Sequence, residues 1–191
     1  MSEKEIKIFY PESQTAWREW LEENHLSEQS AWIVFYKKQS GKKTISWSDA
    51  VDVALCYGWI DSKKIKIDHE TSHQFFSKRK PKSTWSKINK DKIVQLTANG
   101  LMTEAGLRCI EIAKQNGSWT ILDEVEQLII PADLASELQK TANAMACFES
   151  LSKSAKKLML SNLVFAKTPE TRQKRITQII ASVLQNTKHL Q

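Results

Sequence analysis

Strand-like segments occur only before Pro81 in this sequence, and every later segment with a regular pattern is helical. The clearest strand is 31–36, Ala-Trp-Ile-Val-Phe-Tyr, because β-branched and aromatic side chains favour strands. Shorter strand-like segments follow at 43–45, 59–60, 65–67 and 74–76. We therefore predict an α+β fold: residues 1–82 form a small α+β unit with a short, mainly antiparallel sheet, and residues 83–191 form a helical region packed against it.

Capping residues mark where the helices begin and end. Ser46-Trp-Ser-Asp49 has the form of a capping box, so we predict a helix over 47–57 that Gly58 ends in a left-handed conformation. Further starts are predicted at Ser13, at Ser83 or Ser86, at Thr103 and at Ser152, with stops at Asn99-Gly100 and Asn116-Gly117. Thr168-Pro169-Glu170 starts the last helix, which should pack with the preceding one as an antiparallel helix pair.

The positive charge of the chain is concentrated in one segment. Lysine and arginine exceed aspartate and glutamate by 6 over the 191 residues. Residues 62–92 contain ten basic and three acidic residues, a net charge of +7, so the rest of the chain sums to −1. This local excess indicates a surface patch that attracts anions.

Several classes of protein are disfavoured by what the sequence lacks. The longest uninterrupted apolar run, 31–36, is far shorter than the ~20 residues of a membrane-spanning helix. The first residues lead into no apolar signal core. Cys56, Cys109 and Cys147 are widely spaced and form no C-x-x-C, as expected for reduced thiols. We therefore expect a cytoplasmic protein without membrane insertion, disulfides or a cofactor, and predict no particular oligomeric state.

Two elements of the basic segment carry the side chains that an anion-binding site needs. At the helix-to-strand junction after Gly58, the sequence places an indole, a carboxylate, a hydroxyl and an ammonium group. After the last strand, Arg79 offers a planar guanidinium that can grip a carboxylate or phosphate, and Trp85 offers a flat face for stacking. The candidate ligand-binding residues are Trp59, Asp61, Ser62, Lys64, Arg79, Lys80, Trp85 and Asn89.

Each element also has a purely structural interpretation. Trp59 could belong to the core, with Asp61 paired to a nearby lysine, and the 78–90 segment could be a solvated basic loop. The interleaved aromatic residues favour binding for the second element, while both interpretations stay open for the first. We expect the ligand to be an anionic small molecule or an acidic peptide end, with nucleic acid as a second candidate for the same surface.

The sequence His69-Glu70-Thr71-Ser72-His73 has the H-E-x-x-H spacing of zinc hydrolases. In those enzymes a helix places both histidines on one face, and the glutamate acts as general base. Here a strand-like lead-in precedes the motif, Thr71 and Ser72 are weak helix formers, and Pro81 follows closely. We therefore predict no metal and two exposed histidines that point apart, and a zinc hydrolase remains an alternative only.

Six blocks of the sequence, together with the closing helix, carry a family resemblance. The blocks are 20–25, 31–38, 54–63, 78–89, 100–106 and 113–119, and the closing segment is 168–172. The most specific are Gly-Trp-Ile-Asp-Ser, within 54–63, and Arg-Lys-Pro-Lys-Ser-x-Trp-Ser-x-Ile-Asn, within 78–89. They resemble the YdeI/OmpD-associated family, also labelled bacteriocin-protection, over nearly the whole chain.

The resemblance implies a link to resistance against bacteriocins or antimicrobial peptides, and it implies no catalytic residues. From the residues and the resemblance together, we expect a cytoplasmic binding protein rather than an enzyme, with a basic, tryptophan-lined anion-binding pocket.

Overall fold

The structure is a computed structural model and describes residues 6–187. Strands β1 to β4 span Lys7–Phe9, Ser30–Tyr36, Trp59–Lys66 and Thr71–Lys78. Helices α1 to α4 span Gln14–Asn24, Trp47–Cys56, Lys87–Ala98 and Glu104–Gln115. Helices α5 to α9 span Asp123–Glu126, Ala132–Lys140, Ala144–Ser150, Lys153–Val164 and Pro169–Thr187. Within 6–187, every strand precedes α3, and the predicted α+β class is confirmed.

The sheet is mixed, with the strand order β1-β2-β4-β3. β1 runs parallel to β2, whereas β4 pairs antiparallel with β2 and β3, so the predicted, mainly antiparallel sheet is confirmed. The sequence did not reveal β1, because three residues are too few to show an alternating pattern. The strand predicted at 43–45 is wrong. This segment is irregular, and Thr44 Oγ1 accepts a hydrogen bond from the Tyr36 backbone N–H.

Side chains of β4 alternate between the two faces of the sheet. Gln74 and Phe76 are buried on the face that the helices cover, and the Phe76 ring lies 5.6 Å from the Trp17 ring of α1. His73 and Phe75 lie on the opposite face and are half-buried. The two faces therefore offer different chemistry, and each is described below.

Contacts divide the chain into two compact units, residues 1–119 and 120–191. In the first unit, one buried cluster holds Ile33 of β2, Trp59 of β3, Ile93 of α3 and Ile110 of α4. The division lies later than the 82/83 boundary expected from the sequence. The change of pattern at Pro81 marks where the strands stop, whereas α3 and α4 contribute to the same core as the sheet.

The helix boundaries agree closely with the capping residues. The side chains of Ser13, Ser46, Ser86, Thr103 and Ser152 each accept a hydrogen bond from the backbone N–H three residues later, as predicted for N-caps. Gly58 follows α2 with φ +70°, the left-handed conformation predicted for it.

The second unit is built from helices in the described residues. Its buried cluster includes Leu134 of α6, Phe148 of α7, Leu163 of α8 and Ile176 of α9. The start of α9 lies beside the end of α8, where an Arg172 terminal nitrogen donates to the Leu163 carbonyl oxygen at 3.2 Å. The antiparallel pairing of these two helices stays a prediction. Among residues 6–187, none of the helices combines the length and apolar character that crossing a bilayer requires.

Candidate anion-binding site

A cavity of about 220 Å³ opens in the first unit where β4 ends beside α4. Four of its lining side chains can carry a positive charge, and none is an aspartate or glutamate. The full lining is His25, Leu26, Tyr57, Gly58, Lys78, Arg79, Pro81, Ala105, Arg108, Cys109 and Ile112. The cavity thus combines an apolar wall with a cationic rim, an arrangement that suits an organic anion.

The left-handed turn at Gly58 connects the cavity to the sheet. The Gly58 carbonyl oxygen accepts a hydrogen bond from the Arg79 backbone N–H at 2.9 Å, which fixes the point where Arg79 leaves β4. A Cβ atom at Gly58 would lie 3.2 Å from both the Ala105 carbonyl oxygen and the Cys109 Cβ. Glycine therefore provides the positive φ and also admits α4 at this distance.

Helix α4 forms the opposite wall through one of its faces. Ala105, Arg108, Cys109 and Ile112 lie at helical spacing and all line the cavity. Gly106 on the same helix touches α2 so closely that a Cβ atom there would lie 2.2 Å from the Cys56 carbonyl oxygen. That carbonyl also accepts a hydrogen bond from Thr103 Oγ1 at 2.6 Å, which anchors the start of α4.

Arg79 is the buried cation of this cavity. The residue is only 8% exposed, and its guanidinium carbon lies 3.7 Å from the centre of the Trp85 ring. One terminal nitrogen donates to the Thr84 carbonyl oxygen at 3.0 Å, whereas Nε is buried with no hydrogen-bond acceptor among the described residues. Within the described part of the chain, no carboxylate forms an ion pair with Arg79.

Burial lowers the pKa of Arg79 to about 10, while the Cys109 thiol and the Asp61 carboxylate act in the opposite direction. The guanidinium therefore stays charged at neutral pH in a poorly hydrated position. An incompletely paired buried cation favours any anion that can reach it.

The other polar groups of the cavity are partly engaged with the protein. Lys78 Nζ donates to the Leu26 carbonyl oxygen at 2.9 Å, and the Tyr57 hydroxyl donates to Glu22 Oε2 at 2.5 Å. Burial is the main cause, and this hydrogen bond the second, that raises the pKa of Tyr57 to about 12. Arg108 is exposed at the rim. Arg108 thus places an exposed charge at the rim, whereas the charge of Arg79 is buried.

The sequence-derived candidates do not all lie at this cavity. Arg79 lines it, and Trp85 stacks against Arg79 from the core. Trp59 is fully buried in the core of the first unit, and its Nε1 has no hydrogen-bond partner in the part of the chain that the structure describes. Asp61 accepts hydrogen bonds from Trp47 Nε1 at 2.9 Å and Gln74 Nε2 at 3.1 Å, rather than from a lysine.

The remaining candidates lie elsewhere on the first unit. Lys64 lines a separate cavity of about 480 Å³ at the turn between β3 and β4. Ser62 and Lys80 are exposed, and Asn89 is half-buried in the first turn of α3. The geometry therefore places Arg79 and Trp85 together and distributes the other six over β3, the segment after β4 and α3.

Sequence reasoning missed most of the cavity. Four lining residues were not among the candidates, because they come from distant parts of the chain and meet only in the folded unit. His25 follows α1, Tyr57 follows α2, and Arg108 and Cys109 belong to α4. One signal was available: Ala105, Arg108, Cys109 and Ile112 mark a single helical face. That face mixes apolar, thiol and cationic groups, as the rim of a pocket does.

The H-E-x-x-H spacing is not on a helix. His69 lies in the bend between β3 and β4, and His73 lies within β4, so their rings share no helical face. His69 is exposed as predicted, but His73 is half-buried, with its ring 6.4 Å from the Trp32 ring. Among the residues that the structure describes, no three His, Cys, Asp or Glu side chains cluster as metal ligands would.

Fold and cavity together define a two-unit α+β protein with a cationic cavity in its first unit. Residues 9–109, more than half of the chain, match the family described as "Domain of unknown function (DUF8412)", and the chain belongs to that family. Residues 127–186 match the family described as "Bacteriocin-protection, YdeI or OmpD-Associated". This second match confirms the resemblance over a smaller part of the chain than the sequence blocks suggested. No curated protein and no solved structure matches the chain.

Proposed function

We propose that the first unit binds a small organic anion in the cavity beside Arg79. One observation carries this proposal: Arg79 is buried and charged, and its Nε has no hydrogen-bond acceptor among residues 6–187. Removing a cation from water without a counter-charge costs free energy, which a bound carboxylate or phosphate would offset. The planar guanidinium suits either group.

The cavity also constrains the rest of the ligand. At about 220 Å³ it is smaller than the roughly 300–1,000 Å³ clefts that hold drug-sized molecules. Its walls include Leu26, Pro81, Ala105 and Ile112, which favour an apolar body next to the anionic head. A small carboxylic acid with an apolar tail, or the carboxylate end of a peptide with an apolar last residue, fits both requirements better than an inorganic ion.

A calorimetric and thermal-shift comparison of carboxylic acids and phosphomonoesters tests the proposal. The wild-type protein should be stabilised by at least one class of amphipathic anion. Arg79→Gln should weaken that binding by ~1.5–3 kcal/mol, the value of a hydrogen bond to a charged group. Lys174→Gln removes the same charge from an exposed position on α9 and should bind as the wild type does.

Two results would contradict the proposal. One is a panel in which no anion stabilises the protein. The other is a ligand whose affinity is the same for Arg79→Gln and for the wild type, which would place its binding elsewhere.

The match over residues 127–186 supports a link between this protein and protection against bacteriocins. We extend the proposal accordingly: anion binding in the first unit contributes to that protection. A strain that lacks the gene should become more sensitive to bacteriocins, and the wild-type gene should restore resistance. The Arg79→Gln gene should restore less resistance at equal protein level, whereas full restoration would separate the cavity from protection.

A further inference from the structure

The sheet of the first unit has a second face that carries aromatic side chains. In the strand register, Trp32 lies opposite Phe75, and His73 lies between Val34 and Ile65. We call this surface the aromatic face: Ile8, Trp32, Tyr36, Ile65, His73 and Phe75. Ile8 and Ile65, on the two edge strands, are 64% and 39% exposed, so solvent reaches the face from both edges.

Lysines lie directly against the rings of this face. Lys63 Nζ is 5.2 Å from the centre of the Trp32 ring and 5.6 Å from that of Phe75. Lys42 Nζ is 4.3 Å from the centre of the Tyr36 ring. Within the described residues, neither lysine has a carboxylate at ion-pairing distance. Trp32 and Phe75 therefore share one cation and Tyr36 has another, and both cations are available to a ligand.

The surroundings of the aromatic face are also basic. The segments 37–45 and 63–70, which border it at one end of the sheet, contain seven lysines and two acids. Lys64 and Lys66 pair with Gln74 and Ser72 and lie on the opposite face, so five lysines and two acids remain, a net charge of +3. One of the acids, Asp68, is held by hydrogen bonds from the backbone N–H groups of Glu70 and Thr71, each at 2.7 Å. The face thus has an unbalanced positive charge that complements a polyanion.

We propose that the aromatic face binds single-stranded nucleic acid. Unpaired bases can stack on Trp32, Tyr36 and Phe75, and the adjacent lysines can contact the phosphates between them. A duplex hides its bases, so the rings would gain nothing from it. An acidic protein would use the lysines but not the rings, and a lipid surface would need apolar side chains that protrude further than half-buried rings on a flat sheet do.

This site is separate from the cavity beside Arg79. None of the residues of the aromatic face lines that cavity, and neither does Lys63 or Lys42. Binding of nucleic acid therefore does not depend on the proposed anion-binding function, and Arg79→Gln should leave it unchanged.

Fluorescence anisotropy with a labelled oligodeoxythymidylate of roughly 15 nucleotides tests the proposal at low salt. Phe75→Leu keeps an apolar side chain but removes the stacking ring, so it should bind about tenfold more weakly. Lys63→Gln should weaken binding severalfold and reduce the slope of log affinity against log salt by about 0.7. Lys153→Gln, an equal charge change at an exposed position of α8, should bind nearly as the wild type does.

Thermal unfolding of each variant shows whether it is folded. If Phe75→Leu does not fold, Lys63→Gln, a change at an exposed position, still tests the proposal. At least tenfold weaker binding of the matching duplex supports the proposal. Equal affinity for duplex and single strand, wild-type affinity in both variants, or binding to phosphatidylserine vesicles but not to the oligonucleotide would each overturn it.

Discussion

Two arginines, one in each unit, occupy opposite electrostatic situations. Arg172 of α9 donates from Nε to one carboxylate oxygen of Asp133 and from a terminal nitrogen to the other oxygen at 2.9 Å. Arg79 in the first unit has an aromatic ring beneath it and a carbonyl oxygen beside it, but no carboxylate in the described residues. Both side chains are held in place by the protein, yet only Arg172 has its charge balanced there.

The pKa values of the two arginines shift in opposite directions, because one has a carboxylate partner and the other is buried. Asp133 raises the pKa of Arg172, and Arg172 lowers the pKa of Asp133. Burial lowers the pKa of Arg79 to about 10. A paired, partly exposed arginine stabilises its unit modestly, whereas a buried arginine without a counter-charge opposes folding. This difference supports the proposal that Arg79 serves a ligand, whereas Arg172 serves the structure.

The largest expected effect comes from the wall of the cavity. Gly106→Val places side-chain atoms where even a Cβ would lie 2.2 Å from the Cys56 carbonyl oxygen, so α4 must move away from α2. Overpacking of this kind costs ~3 kcal/mol. We expect the first unit to unfold at a lower denaturant concentration and anion binding to be lost.

Gly41→Ala is the control for this experiment. Gly41 also has a positive φ, +69°, but a Cβ there would have no atom of residues 6–187 within 4 Å, so only local strain is added. We expect a loss of about 1 kcal/mol and unchanged anion binding. Equal destabilisation by both variants would show that the close approach of α4 and α2 is not what shapes the cavity.

The next effect compares the two arginines directly. Arg79→Met replaces the buried cation by an apolar side chain of similar length, and we expect the free energy of unfolding without ligand to rise by ~1 kcal/mol. Arg172→Met should lower it, because Asp133 loses its partner. Urea unfolding of both variants at neutral pH measures the difference in sign. A loss of stability in Arg79→Met as large as in Arg172→Met would assign Arg79 a structural role instead.

The sequence predicted those parts of the fold that depend on neighbouring residues. The five N-caps and the left-handed Gly58 follow from local backbone chemistry. Four of the N-caps are where the sequence placed them, and the fifth, Ser86, is one of the two starts predicted for α3. Arg79 and Trp85 were predicted together because they are close along the chain, and the Arg79 guanidinium does lie over the Trp85 ring.

The rest of the site depends on contacts between distant residues. Arg108 reaches the cavity only because Gly106 lets α4 approach α2, and no local pattern encodes that approach. Trp59 follows Gly58 at a junction that resembles a binding loop, yet its indole is buried in the core of the first unit. A buried tryptophan and a ligand-binding tryptophan have the same sequence signal, and only packing separates them.

The smallest effect concerns the balanced pair of the second unit. Asp133→Asn removes the negative charge that faces Arg172 and should lower the free energy of unfolding by ~0.5–1 kcal/mol at neutral pH, because both side chains are partly exposed. The effect should depend on pH. Because the folded pKa of Asp133 is lowered from 3.8, its contribution is fully present above that value and is lost as the pH falls through the folded pKa.

Urea unfolding of the wild type and Asp133→Asn from pH 7 down to about pH 2 therefore tests the pairing. The two stabilities should differ at neutral pH and converge at the acidic end, where the wild-type carboxyl is also neutral. Glu124→Gln is the matched control, since Glu124 is an acidic residue of the same unit that forms no ion pair with any described residue. It should show no such convergence. A difference for Asp133→Asn that stays constant with pH would mean that shape and hydrogen bonding, rather than charge, hold Arg172, and the contrast with Arg79 would then rest on burial alone.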